Sequence, residues 1–294
     1  MTDNLFQNPV RVVSVGAPAK INLYLNITGQ RVNNYHELDS LIAFAAHGDQ
    51  IEVKKCDHFN LEASGPFSEK LPPSNENLVM KAAKELARGT NYEGGACIKL
   101  IKNLPVSSGI GGGSADAAAT LKALNDLWET NLQNKDLMVM ALRLGADVPV
   151  CLLSKTVRMS GIGDKLSRVS GLPKCGILLI NPGIPISTVN VFQLCRGDFS
   201  NQVKIPNIEN REVFFEFLST QKNDLQDAAI KIAPIIKEVL KILTDDPNCR
   251  LARLSGSGGT CFGLYEDEPK ALFAAEAMYG HFSDWWIQPT RLTD

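Results

Sequence analysis

Eight consecutive residues, Ser107-Ser108-Gly109-Ile110-Gly111-Gly112-Gly113-Ser114, hold four glycines and three serines, and the chain then enters the alanine-rich pattern 115-ADAAATLKALNDL-127. Bare backbone at the mouth of a helix suits anion binding. Glycines let successive main-chain N–H groups converge on an anion, and the open first turn of the helix adds about half a positive charge. A polyphosphate is the natural guest of such a cradle. Two common phosphate loops do not fit. No Lys follows the glycines as in G-x-x-x-x-G-K-[ST], and G-x-G-x-x-G fails at its last position, where Ser114 stands.

Three further stretches carry groups able to act on a phosphate or an alcohol. In 17-APAKINLYLNI-27, Lys20 and Asn22 share the polar positions of an alternating pattern whose other positions, Ile21, Leu23, Leu25 and Ile27, are apolar. In 144-LGADVPVCL-152, Asp147 follows the helix-ending Gly145 and is flanked by Val148, Val150 and Leu152, which suggests a buried strand start. A carboxylate placed there needs a cationic partner, and Lys20 is the expected one. Residue type alone also allows an exposed edge charge for Lys20 and a turn residue for Asp147. In 33-NNYHELDSLI-42, Tyr35 and His36 read by themselves as a loop aromatic and a solvent histidine.

Taken together and in order, these motifs resemble the GHMP kinases. The run from Leu104-Pro105 through Gly109 to Ala118 is similar to their phosphate loop, and the resemblance extends from about Val12 to beyond Phe262. It implies an α+β fold of two domains: an amino-terminal ribosomal-protein-like α/β domain over 1–162 and a carboxy-terminal ferredoxin-like domain over 163–294. The active site would lie in the cleft between them. It implies ATP as co-substrate with Mg²⁺ accompanying it, the metal ligands being left open. Pro105, Val106, Ser107, Ser108, Gly109, Ile110, Gly111, Gly112, Gly113, Ser114 and Ala115 would hold the ATP phosphates, while Asn77 and Lys102 match positions lining the adenine pocket. Lys20 and Asp147 would be the catalytic pair. Asp147 would orient the acceptor hydroxyl or take its proton, and Lys20 would steady the developing charge.

The resemblance also implies the acceptor, a cytidine diphosphate-linked polyol of the non-mevalonate isoprenoid route. Asn22, Tyr35, His36, Thr188 and Phe192 match its binding positions, with His36 on the cytosine edge and Tyr35 and Phe192 beside the ring. The stretch 254-LSGSGGTCFGL-264 matches a third glycine motif that would sit beside the phosphate loop, and Asn223-Asp224-Leu225 matches a structural element. Two positions depart from the pattern: Asn34 stands for a glycine before Tyr35, and Ser107-Ser108 stand where Ala/Gly-Gly is usual. Competing readings are another alcohol, of homoserine or mevalonate type, or a nucleotide sensor without turnover.

The elements that must carry these groups can be sketched from pattern. Strands are expected over 10–30, broken at Gly16 and Pro18, and over 39–56 with a turn at Gly48-Asp49, then over 95–105. Helices are expected over 78–89, 114–128, 134–145, 209–219, 226–243 and 269–281, and strands over 175–183, 249–259 and 260–267. The chain has 294 residues, 44% of them hydrophobic and 21% charged, with a formal charge of −2. That balance gives no global attraction to nucleic acid or to an anionic membrane. Seven cysteines without a C-x-x-C pair are expected to be reduced core thiols, and the scattered histidines make no metal site. The first twenty residues lack the apolar core of a secretion signal, and no run reaches the ~20 apolar residues of a membrane span. A cytoplasmic enzyme acting on small molecules, with no protein partner, is the expectation.

Overall fold

The structure, a computed structural model, describes residues 11–195, 197 and 199–293. Val10, expected to open the first strand, and with it the first ten of the twenty residues expected to carry no secretion signal lie outside the described residues.

Two long strands organise the molecule. β1 (Val12–Gln30) and β2 (His36–Cys56) run antiparallel, and neither is divided where Gly16, Pro18 and Gly48 suggested. Pro18 lies opposite Gly48, and a Cβ on Gly48 would stand 2.3 Å from the carbonyl oxygen of Ala17. Gly48 therefore serves a close approach of two strands instead of a turn. Irregularities after Pro18, Asn22 and Ile27 absorb the twist that so long a pair accumulates. The alternation in β1 is also not a division between core and solvent. Lys20, Asn22 and Tyr24 are as buried as Ile21 and Leu23, because other elements cover both faces.

β3 (Asn60–Ser64), α1 (Leu78–Thr90) and β4 (Gly95–Ile101) follow, β4 pairing with β2 on one side and with β3 on the other. α2 (Gly112–Leu127) packs beneath β1 and β2, with Ala115, Ala117, Ala118, Ala119 and Ala123 all buried. Its alanines are what allow a helix to lie so close to a sheet. α3 (Asn134–Leu144) ends at Gly145, α4 (Val148–Leu153) begins almost at once, and the hairpin of β5 (Val157–Gly161) and β6 (Lys165–Arg168) pairs back onto β2. The expected domain boundary at 162/163 falls in the turn of that hairpin.

The carboxy-terminal half holds β7 (Gly176–Asn181), α5 (Thr188–Leu194), α6 (Arg211–Ser219), α7 (Gln226–Ile232), α8 (Ile235–Asp245), β8 (Leu251–Leu254), β9 (Cys261–Tyr265), α9 (Glu268–Tyr279) and β10 (Trp286–Thr293). The single helix expected over 226–243 is two, split at Ala233-Pro234, where proline supplies no N–H. β10 carries no signal in the sequence that suggested a strand. It pairs with β7 along most of its length, and Leu292 and Thr293 then pair with Ala45 and Phe44 of β2. One sheet order, β3-β4-β2-β10-β7-β9-β8, thus runs through both halves.

The expectation that all cysteines are reduced is corrected. Cys56 at the end of β2 and Cys97 in β4 form a disulfide, with Cα atoms 5.6 Å apart. The pairing that sets Cys97 opposite Lys54 and Cys56 opposite Gly95 brings the two side chains together. Cys151, Cys175, Cys195, Cys249 and Cys261 are free thiols.

Candidate active site

The glycine stretch takes the left-handed conformations that only glycine adopts freely: Gly109 has φ +75° and Gly111, the N-cap of α2, has φ +65°. The first intrahelical bond runs from Ala115 N–H to Gly111 O, at 2.8 Å. The N–H groups of Gly112, Gly113 and Ser114 are therefore those that helix geometry leaves open for an anion. Side chains are excluded here by crowding. A Cβ on Gly109 would lie 2.5 Å from Gly258 O and 2.6 Å from Ser255 O. The third glycine motif is the wall that leaves Gly109 no room. Thr260 N–H donates to Ser108 O at 3.0 Å, and the Ser255 hydroxyl donates to Gly109 O at 3.2 Å.

Lys20 reaches this loop from β1. Its backbone N–H donates to Ile110 O at 2.9 Å, and its ammonium donates to Asp147 Oδ2 at 2.9 Å. The Lys20 side chain is 6% exposed and that of Asp147 38%, so a buried cation faces a carboxylate open to a ligand. Asp147 does not start a strand, as its apolar flanks suggested; it precedes the short helix α4, with Pro149 in the first turn, where a missing N–H costs nothing. Its carboxylate makes no capping bond to that helix.

Phe192, expected with Tyr35 beside the cytosine ring, lies against His36. The His36 and Phe192 ring centroids are 5.3 Å apart, and His36 Nε2 is buried without a hydrogen-bond partner among the described residues. Tyr35 is 61% exposed on the turn beside it. Asn34, which replaces the usual glycine, adopts φ +66°, so the turn keeps a left-handed residue. Thr188 caps the arrangement through a 2.8 Å bond between its hydroxyl and that of Ser257 in the third glycine motif. Asn22 donates to the Ser40 hydroxyl at 2.8 Å, and its buried Oδ1 has no hydrogen-bond partner among the described residues. Ser107, at φ +53°, is exposed, whereas Ser108 turns its hydroxyl back to Pro105 O at 2.6 Å, beneath the loop.

Asn77 and Lys102, expected at the adenine, are both held by protein partners. The Asn77 side chain caps α1 by accepting from Val79 N–H at 2.9 Å. Lys102 is 2% exposed and donates to Asp49 and Asp116 under the loop, so its charge does not stand in a cleft. Asp49 and Asp116 were not among the expected site residues. Asp116, alone among the alanines of 115-ADAAAT-120, was the available signal. The Asn223-Asp224-Leu225 element is structural: Asn223 Nδ2 donates to Leu254 O and Gly256 O, each at 2.8 Å, and Asp224 accepts from Ile27 N–H at 2.7 Å.

Residues 77–155 match the GHMP kinases N terminal domain and residues 208–284 the GHMP kinases C terminal domain. Fold and site thus define a GHMP kinase, an ATP-dependent enzyme acting on a small molecule. Over 94% of its length the chain is 45% identical to the 4-diphosphocytidyl-2-C-methyl-D-erythritol kinase of Cereibacter sphaeroides, covering 98% of that protein. It is 43% identical to that of Paramagnetospirillum magneticum, over 95% of this chain and 98% of the relative. A crystal structure of 4-(cytidine 5'-diphospho)-2C-methyl-D-erythritol kinase superposes with a TM-score of 0.79 at 31% identity, over 96% of this chain and 99% of that one. Homoserine kinase from Cytophaga hutchinsonii shares the fold, with a TM-score of 0.72 at 18% identity. The chain belongs to the 4-diphosphocytidyl-2-C-methyl-D-erythritol kinase family.

Proposed function

We propose that this protein transfers the terminal phosphoryl group of ATP to the 2-hydroxyl of 4-diphosphocytidyl-2-C-methyl-D-erythritol, and that it works on these small molecules without a protein partner. The observation that carries the catalytic reading is the Lys20–Asp147 pair, 2.9 Å across and tied to the glycine loop through Lys20 N–H and Ile110 O. Residues 105–115 hold the phosphates through main-chain N–H groups. Asp147 accepts the hydrogen of the acceptor hydroxyl and orients its oxygen for attack. Lys20 fixes the carboxylate and balances the charge that builds on the transferred group.

Selectivity for a cytidine acceptor follows from His36 and Phe192. The unpartnered His36 Nε2 can meet the polar edge of a base, and the Phe192 ring offers it a face; stacking of this kind is worth about 1–3 kcal/mol per base. Asn22 Oδ1, buried and unpartnered, is assigned to a hydroxyl of the polyol. Asn77 and Lys102 serve the nucleotide side by shaping its surroundings instead of touching the base.

Mg²⁺ fits this site as an ion carried by the nucleotide. No group of three or more His, Cys, Asp or Glu side chains able to hold a metal occurs among the described residues, and Mg²⁺ commonly keeps its waters and binds phosphate oxygens. When bound it neutralises phosphate charge, and no residue of this chain is assigned to it. Among the described residues no helix is long and apolar enough to cross a membrane, and a cytoplasmic location is proposed with the function.

Coupled ADP release with this acceptor, in wild type and in Asp147→Asn and Lys20→Met variants, tests the reading. Faster turnover of homoserine or mevalonate sinks the substrate, and full activity of both variants sinks the catalytic pair.

A further inference from the structure

Directly beneath the glycine loop lies a cluster of charge that phosphoryl transfer, as derived above, does not use. Lys102, Asp49 and Asp116 are each at most 3% exposed. Lys102 Nζ donates to Oδ2 of both carboxylates, at 2.7 Å to Asp116. Asp49 is fully engaged. Its Oδ1 accepts from the N–H groups of Asn103 at 2.6 Å and Leu104 at 2.8 Å, the residues by which the chain enters the loop. Asp116, in the second turn of α2, differs: its Oδ1 is buried and has no hydrogen-bond partner among the described residues. A Cβ on Gly112 would lie 3.1 Å from Lys102 Nζ and 3.6 Å from Asp49 Oδ2, so the cluster touches the floor of the cradle.

Two carboxylates and one ammonium sum to a net charge of −1, buried under a site built to hold a polyanion. Among the described residues nothing else packed against Asp116 corrects this. α4 presents the Cys151 thiol, which burial keeps neutral, and Asp147 is already paired with Lys20; on β2, His47 beside Asp49 is pushed by burial toward its neutral form. An ionised carboxylate also tolerates a bare, desolvated oxygen poorly, whereas a neutral acid tolerates it much better.

We infer that Asp116 is held as the neutral acid when nucleotide binds, and acts as a positioning residue: its proton keeps the Lys102 cluster uncharged overall, so the loop receives a polyphosphate without a buried anion beneath it. The inference rests on reading the loop as the nucleotide site. Burial raises the Asp116 carboxyl, Lys102 pulls it back and Asp49 raises it again, leaving it at about 8. Loss of the proton on moving from neutral to alkaline solution should therefore weaken nucleotide binding while leaving the Lys20–Asp147 pair in place.

Calorimetric titration with Mg-ADP between about pH 6.5 and 9.5 decides it without requiring turnover. Wild type is expected to lose about tenfold in affinity across this range, and Asp116→Asn is expected to give a flat profile. In steady state the same change should appear in the KM for ATP and not in kcat, a split that a purely structural role would not produce. A flat wild-type profile, or a parallel loss in Asp116→Asn, overturns the inference. Should the variant not fold, infrared spectra of wild type carry the test: a protonated-carboxyl band at neutral pH that disappears in alkali is expected, and its absence at neutral pH overturns the inference. Failure of ADP to bind at any pH overturns the nucleotide reading as well, whereas tight binding independent of pH removes this inference alone.

Discussion

Asp147 and Asp116 are two aspartates in one half of the molecule whose surroundings set them to different work. Asp147 faces a single ammonium and keeps more than a third of its side chain open; Asp116 is enclosed and shares its ammonium with a second carboxylate. Asp147→Asn keeps the shape but removes the proton acceptor proposed above, so kcat should fall by about 10²–10⁴-fold with ATP affinity nearly intact, which single-turnover and ADP-binding measurements separate. The effect of Asp116 on stability has the opposite sign to that of an ordinary paired carboxylate. Its folded-state value, about 8, lies above the ordinary 3.8, so the folded protein holds the extra proton between these limits, and stability falls as pH rises through that window. Asp116→Asn should remove this slope, and melting temperatures of the two proteins should diverge from acid toward pH 8, with the variant the more stable.

At the scale of the element, the site depends on one glycine segment being pressed against another. Gly109→Ala would place a methyl group 2.5 Å from Gly258 O while demanding φ +75° of a non-glycine residue. The expected result is a rise in the KM for ATP of about tenfold or more, since 1.4 kcal/mol is a factor of ten and left-handed backbone alone costs about 1–2 kcal/mol. Asn223→Ala removes the donor shared by Leu254 O and Gly256 O, and should cost about 1–3 kcal/mol in urea unfolding through buried carbonyls left unpaired. The glycine loop, the helix behind it and the third motif were legible because each writes its geometry into glycine spacing. The long strands were not. Gly48 and Pro18 carry turn chemistry, and only the partner strand shows that Gly48 is small because Ala17 O lies against it. The valines around Asp147 suit a buried strand and a short buried helix equally, and Pro149 distinguishes them only once the helix is seen.

The whole molecule is held by contacts whose sequence separations hide them. Cys56 and Cys97 lie 41 residues apart with no motif between them, so composition alone pointed to free thiols. Closing a loop of that size contributes about 2–4 kcal/mol. Cys97→Ser should therefore lower the unfolding midpoint in oxidising buffer and match wild type once a thiol reductant is present. The pairing of β10 with β2 was equally hidden: the Thr293 hydroxyl donates to Phe44 O across 249 residues. During synthesis on the ribosome β2 emerges before α5 and the third glycine motif, and the strand that covers this stretch of it, β10, emerges only after both. Until then the nascent chain presents an unclosed sheet margin, which makes this segment a natural place for a chaperone to sit and makes slow docking of β10 a hazard for aggregation.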